Sequence, residues 1–191
     1  MSGDVHVRFR EGLGVRFPRA TRLVILCRTA DEASRALQRV HAWVAANGLT
    51  LHPTKTRLVD ARNEGFDFLG YHFRGTQHWP RSKSLRKLKD ALRAKTRRTS
   101  GDSLQCIVAG VNQLLRGWFA YFQHGIRRPL YKDLDGWLRM RLRSLLCRRQ
   151  GGHGVARNQR ASFTWPNRFF AEHGLFSLQA AHALACQSSR R

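Results

Sequence analysis

At Trp79-Pro80 the spacing of apolar residues changes from a mixture of strand and helix patterns to helical alone, and one regular architecture cannot serve both sides. Upstream, Leu23-Val-Ile-Leu-Cys27 is a short continuous apolar run with β-branched residues, as in a buried strand. Thr29 is placed to cap a helix, with Asp31 and Glu32 in the first turn, where carboxylates favour the helix dipole. Ala33, Leu37, Val40 and Val44 recur at helical spacing, with Ala36 and Trp43 beside them, and Asn47-Gly48 ends the pattern. Strands are expected near Thr50-Leu51, Arg57–Val59 and Phe66–Phe73. This gives a β-α-β-β unit. Residues 1–20 are rich in Arg and Gly without a sustained apolar period, and read as a poorly ordered lead-in.

Downstream the pattern is helical. Ser82 or Ser84 is placed to cap a helix with Leu85, Leu88 and Leu92 on one face. Lys83, Arg86, Lys87, Lys89, Arg93 and Lys95 cover the rest, and Thr99–Ser103 breaks it. Ser103 opens an apolar helix through Leu104, Ile107, Val108, Val111, Leu114, Leu115, Trp118 and Phe122, stopped by Gly125. Leu130, Leu134, Trp137, Leu138, Leu142 and Leu145 mark a further helix, flanked by Arg139, Arg141, Arg143, Arg148 and Arg149. Gly151–Gly154 is a loop, and the aromatic ending from Trp165 reads as short helices packing back. The fold class is therefore α+β: a small β-α-β-β piece followed by a mainly α-helical region.

The charge balance sets the partner. Thirty-five Lys and Arg face 12 Asp and Glu, a net +23, which repels itself and attracts polyanions. Basic helices with embedded aromatics suit RNA, because cations neutralise phosphates while aromatic and guanidinium planes stack on unpaired bases. Trp43, Trp118 and Trp137 lie on apolar stripes and are expected in the core. Tyr121 and His124 lie off the stripe and are expected at the surface. No run of about 18 apolar residues is present to span a bilayer, and no signal peptide is visible, so a cytoplasmic location without a membrane partner is expected. The four cysteines form no Cys-x-x-Cys pair; three sit in apolar stretches and read as small buried hydrophobes. The nine histidines lack the His-x-x-x-His spacing of a helical metal site, so no metal is expected.

Four ordered segments carry a family resemblance: Gly48-Leu-Thr-Leu-His-Pro-Thr-Lys-Thr, Phe66-Asp-Phe-Leu-Gly-Tyr-His-Phe, Leu115-Arg-Gly-Trp-Phe-Ala-Tyr-Phe-Gln-His-Gly125, and Trp165-Pro-Asn-Arg-Phe-Phe-Ala-Glu-His-Gly-Leu-Phe-Ser-Leu178. In order and spacing they resemble the C-terminal half of a group II intron-encoded reverse transcriptase/maturase. The resemblance implies the end of a polymerase palm at 21–80, a thumb-like basic helix at 81–100, a maturase-specific helical region (domain X) at 101–180 and a tail at 181–191. It implies group II intron RNA as partner, and an RNA/DNA duplex gripped by the thumb. By analogy Arg116, Tyr121 and His124 join the RNA-facing residues of the maturase signature, with Gly117, Trp118 and Phe122 as its structural part. Arg139 and Arg143 are further RNA-binding candidates. Lys55 is either the palm lysine near the active site or a solvated turn lysine.

The family's catalytic Tyr-Ala-Asp-Asp precedes the strand corresponding to Leu23–Cys27, and its paired aspartates hold Mg²⁺. Here the sequence reads Arg19-Ala-Thr-Arg22, so Thr21 and Arg22 occupy the aspartate positions. Neither can hold the metal. No catalytic residue and no cofactor are therefore assigned to this chain. Three readings follow: an RNA-binding maturase-type fragment, a polymerase active only with a separate N-terminal half, or a non-functional remnant whose first residues come from a shifted reading frame.

Overall fold

The computed structural model describes residues 4–8, 22–52, 56–125, 128–152 and 159–188. The chain divides into two compact units, Met1–His78 and Trp79–Arg191. The mixed class is as read: antiparallel strands in the first unit and helices in the second.

In the first unit, strands β1 (Asp4–Arg8), β2 (Arg22–Leu26) and β3 (Arg57–Val59) form an antiparallel sheet in the order β2-β1-β3. Strand β1 lies within residues 1–20, the stretch read as a poorly ordered lead-in. Asp4-Val-His-Val-Arg8 alternates polar and apolar residues, which is strand periodicity too short to register as a sustained pattern. It pairs Val5 with Ile25 on one side and with Leu58 on the other. Strand β2 is the outer strand, and Leu26 at its end is 70% exposed, so the apolar run is not buried throughout.

Helix α1 (Ala30–Ala46) starts as expected. Thr29 accepts a hydrogen bond from the Glu32 amide, and Gly48 beyond the helix end takes a positive φ of 68°. Ala33 packs beside Cys27, with Ile25, Leu37 and Val40 around them. Trp43 is not core: it is 59% exposed. It sits about 100° around the helix from buried Val44, off the face that Ala33, Leu37 and Val40 define. Near Thr50-Leu51 only an isolated bridge at Leu51 forms.

The segment Phe66–Phe73 is a hairpin rather than one strand. β4 (Phe66–Phe68) and β5 (Tyr71–Arg74) pair antiparallel with Phe66 opposite Phe73 and Phe68 opposite Tyr71. Leu69 and Gly70 form the two-residue turn, with φ of 45° and 84°. Positive φ at both central positions gives the hand of turn that matches strand twist. The Phe66 and Phe73 rings then stack at 5.2 Å, an intrastrand impossibility made available by the turn. Gly65 is required here: it has φ +71°, and a Cβ would lie 2.6 Å from the Phe73 carbonyl oxygen. A third strand, β6 (Gln77–Pro80), completes the sheet β4-β5-β6 and was not anticipated.

The second unit is built from α2 (Ser82–Lys95), α3 (Leu104–Phe122), α4 (Arg128–Arg149), α5 (Gln159–Thr164), α6 (Asn167–Glu172) and α7 (Leu178–Ser188). Neither Ser82 nor Ser84 caps α2. β6 ends at Pro80, only Arg81 is left before the helix, and its side chain makes no capping bond. Ser103 does cap α3, accepting from the Cys106 amide. One core joins the helices: Leu88 and Leu92 of α2; Ile107, Val111, Leu115 and Phe119 of α3; Tyr131, Leu134, Leu138, Leu142 and Leu145 of α4; and Phe170 and Leu178. Trp118 and Trp137 pack against it while partly buried. Of the cysteines only Cys27 is fully buried; Cys147 and Cys186 are half-buried and Cys106 is exposed, because it lies off the Ile107–Val111 stripe of α3.

Two polar clasps fasten the C-terminal elements. Asn112 on α3 donates to the Gly174 carbonyl at 2.8 Å and accepts from the Phe176 amide at 2.8 Å. Buried Asp135 on α4 accepts from the Leu178 amide at 3.0 Å, the Gln179 amide at 3.1 Å and the Ser177 hydroxyl at 2.7 Å. A carboxylate thus satisfies the free N–H groups that open α7 and complements its dipole. Replacing Asp135→Ala leaves those donors unpaired, and urea unfolding should show a loss of about 2–3 kcal/mol. Amides of residues 178–188 should lose hydrogen-exchange protection first; Asp135→Asn, which keeps an acceptor, should lose less.

Candidate nucleic-acid interface

Helix α2 turns Leu88 and Leu92 inward, and six of its other positions are Lys or Arg. Lys83, Arg86, Lys87, Arg93 and Lys95 are exposed, and Lys89 is half-buried. Its single acid, Asp90, pairs with Arg93 at 2.5 Å. The helix end is closed by a residue of another helix: Arg141 of α4 donates from Nε to Thr96 Oγ1 at 2.8 Å and from a terminal nitrogen to the Thr96 carbonyl at 3.1 Å. A cation on the last carbonyls also suits the dipole. Burial, then the charges of Arg93 and Arg98, lower the Arg141 pKa.

On α3 the signature residues separate into two faces. Phe122 is buried and Trp118 half-buried, with their rings 4.8 Å apart. Arg116, Gly117 and Tyr121 are exposed, as is His124 just past the helix, and they recur at helical spacing on one side. Tyr121 is 52% exposed, in keeping with its position off the apolar stripe. Arg116 lies over the Phe176 ring at 5.1 Å. Gly117 is exposed, and a Cβ there would meet nothing within 4 Å.

On α4, Arg139 and Arg143 are half-buried. Arg143 is a strut. It donates from Nε to the Trp165 carbonyl at 2.8 Å and from a terminal nitrogen to Asn167 Oδ1 at 2.8 Å, and lies over the Phe170 ring at 5.3 Å. Burial, then the Arg139 charge, lower its pKa. Its guanidinium holds α6 in place and is spent inside the unit. Arg149 likewise donates to the carbonyls of Ser100 and Asp102. Lys55 and Thr21 lie outside the described residues, and Arg22 opens β2.

Sequence reasoning missed Asn112, Tyr131, Asp135 and Arg141 as fastening residues. Tyr131 donates its hydroxyl to the Phe122 carbonyl at 2.7 Å, and His182 stacks on its ring at 4.4 Å. Each partner lies on another element, so no local pattern announces it. Only the i, i+4 spacing of Trp137 and Arg141 was visible.

Residues 85–163 match the family model of the group II intron, maturase-specific domain. That match supports a group II intron maturase-type protein. The matched region starts within α2, takes in α3 and α4, and ends in α5. Most of the exposed cations and the whole α3 signature fall inside it. No curated protein matches the chain.

The division between structural and exposed arginines is open to test. Arg143→Met keeps the aliphatic stem but removes two hydrogen bonds, and should lower unfolding stability by about 1–3 kcal/mol. Arg86→Met should leave the unfolding midpoint unchanged and weaken polyanion binding instead.

Proposed function

We propose that this chain is an RNA-binding protein of the maturase type, whose basic helical unit binds structured group II intron RNA and assists its splicing without polymerase chemistry of its own. The observation that carries the reading is the coincidence of the family match at 85–163 with helices that are apolar inside and cationic outside. The interface residues are Lys83, Arg86, Lys87, Lys89, Arg93 and Lys95 on α2, Arg116, Tyr121 and His124 on the α3 side, and Arg139. Cations there neutralise phosphates and release counterions, and Tyr121 offers a ring for an unpaired base.

Magnesium chemistry does not fit the residues present. The positions corresponding to the family's aspartates are Thr21 and Arg22. A hydroxyl and a guanidinium offer no anionic oxygens to a hard cation. Among the described residues, no three of His, Cys, Asp or Glu gather as a metal site would require. The likeness of residues 48–73 to the end of a polymerase palm is therefore a matter of ancestry and scaffold in this proposal, and no step of nucleotide transfer is drawn through it.

A titration against group II intron RNA and a scrambled RNA of equal length tests the reading. Intron RNA should bind more tightly, and the affinity should fall about 10³–10⁵-fold between about 50 and 200 mM salt if six to ten phosphates are contacted. Equal affinity for both RNAs would reduce the interface to a non-specific polycation. Template-dependent primer extension by the purified chain with Mg²⁺ would overturn the non-catalytic part.

A further inference from the structure

Three cations surround a single indole. Lys89 Nζ and Arg93 Cζ of α2 each lie 5.6 Å from the Trp137 ring centroid, and Arg141 Cζ of α4 lies 5.5 Å from it. All three charges are thus held within 5.6 Å of one point. Cation–π attraction offsets part of their mutual repulsion but cancels no charge. Among the described residues, the one carboxylate bonded to them is Asp90, on Arg93. The hydrogen bonds of Arg141 go to the Thr96 hydroxyl and to carbonyl oxygens, all neutral. They fix the guanidinium without neutralising it. The cluster therefore keeps an excess of two positive charges.

That arrangement is costly unless something anionic completes it. Repulsion is visible at Arg141, whose pKa is lowered by burial and then by Arg93 and Arg98. A rigid core bounds the site: Leu88 and Leu92 beneath α2, and Leu138 and Leu142 beneath α4, are buried. The cations are consequently presented from two packed helices rather than from mobile loops. One guanidinium is held by three hydrogen bonds, a second is steered by a carboxylate, and the ammonium of Lys89 is a point charge over the indole. The Arg141 donors are taken up by Thr96 and the Arg93 carbonyl, so it offers a fixed positive charge, beside the guanidinium of Arg93 and the point charge of Lys89, to the negative oxygens of a phosphate.

We propose that Lys89, Arg93 and Arg141, gathered round Trp137, form a discrete phosphate-binding site between α2 and α4. The excess of two charges fits a terminal phosphate or two adjacent phosphodiesters better than a single carboxylate. The site rests on the RNA-binding reading for its natural ligand. It reads charge, so its contribution is independent of base sequence.

The test uses the full chain and two charge reversals, Lys89→Glu in the cluster and Lys132→Glu on α4 outside it. Lys89 makes no hydrogen bond within the described residues, so its reversal spares the fold; circular dichroism checks this. Inorganic pyrophosphate measured by calorimetry should bind the unaltered chain and the Lys132 variant, and fail to bind the Lys89 variant. With RNA, Lys89→Glu should cost about tenfold or more in affinity whatever the sequence, and reduce the slope of log affinity against log salt by about one, beyond the effect of Lys132→Glu. RNAs with 5′-phosphate and 5′-hydroxyl ends separate the two sources: dependence on the end assigns a terminal phosphate, independence the backbone. Equal losses in both variants, with pyrophosphate binding indifferent to Lys89, would overturn the site and leave the RNA reading standing. Pyrophosphate binding through Lys89 without preference for intron RNA would do the reverse.

Discussion

Helix α4 carries a buried stripe, Tyr131, Leu134, Leu138, Leu142 and Leu145, on which the second unit depends. Helices α5 and α7 lie against it, and residues of α2 and α3 share its core. Each fully buried large aliphatic side chain contributes about 1.5–3 kcal/mol of burial. In a chain with net charge +23, that apolar seam must also overcome repulsion between the helices it joins. The same helix carries the polar fastenings. Asp135 holds the start of α7, Arg141 the end of α2, and Arg143 the segment around Trp165 and Asn167.

Arginine therefore serves two purposes in this unit, and composition alone cannot tell them apart. Arg141, Arg143 and Arg149 are spent on backbone carbonyls at helix ends and loops. Five donors in a planar fork let one residue close several open acceptors at once, and the aliphatic stem packs meanwhile. Arg86, Lys87 and Arg116, by contrast, are exposed. The Trp137 cluster lies between these roles: Arg141 is structural by its hydrogen bonds and still contributes charge to the surface.

Much of this was legible before any coordinates. Apolar spacing marked α1, α3 and α4, because a helix that packs on one side must repeat its apolar residues every three or four positions. Thr29 and Ser103 were legible as caps, since capping is a local bond to an amide three residues on. The resemblance of the third segment to a maturase signature agrees with the family match that spans it. Misreadings fell where local pattern underdetermines pairing. Phe66–Phe73 has the composition of one strand, and only positive φ at Leu69 and Gly70 turns it into two. Strand β1 has five residues and takes its place from its neighbours, β2 and β3. Trp43 is apolar and helical, yet a displacement of one residue from Val44 carries it off the packed face.

The sequence by itself determined the class, the division into a small mixed unit and a basic helical unit, the positions of the main helices and the strongly positive net charge. These follow from periodicity and net charge, which are properties of the chain before it folds. Tertiary structure decided which cations are available. Arg139, Arg141 and Arg143 are two residues apart along one helix and look alike in sequence. Their fates differ because α2 presents open carbonyls to Arg141, and the Trp165 carbonyl and the Asn167 side chain meet Arg143. Whether a charge faces solvent or closes a helix end depends on which acceptors lie within about 3 Å of it, and distant segments supply those acceptors.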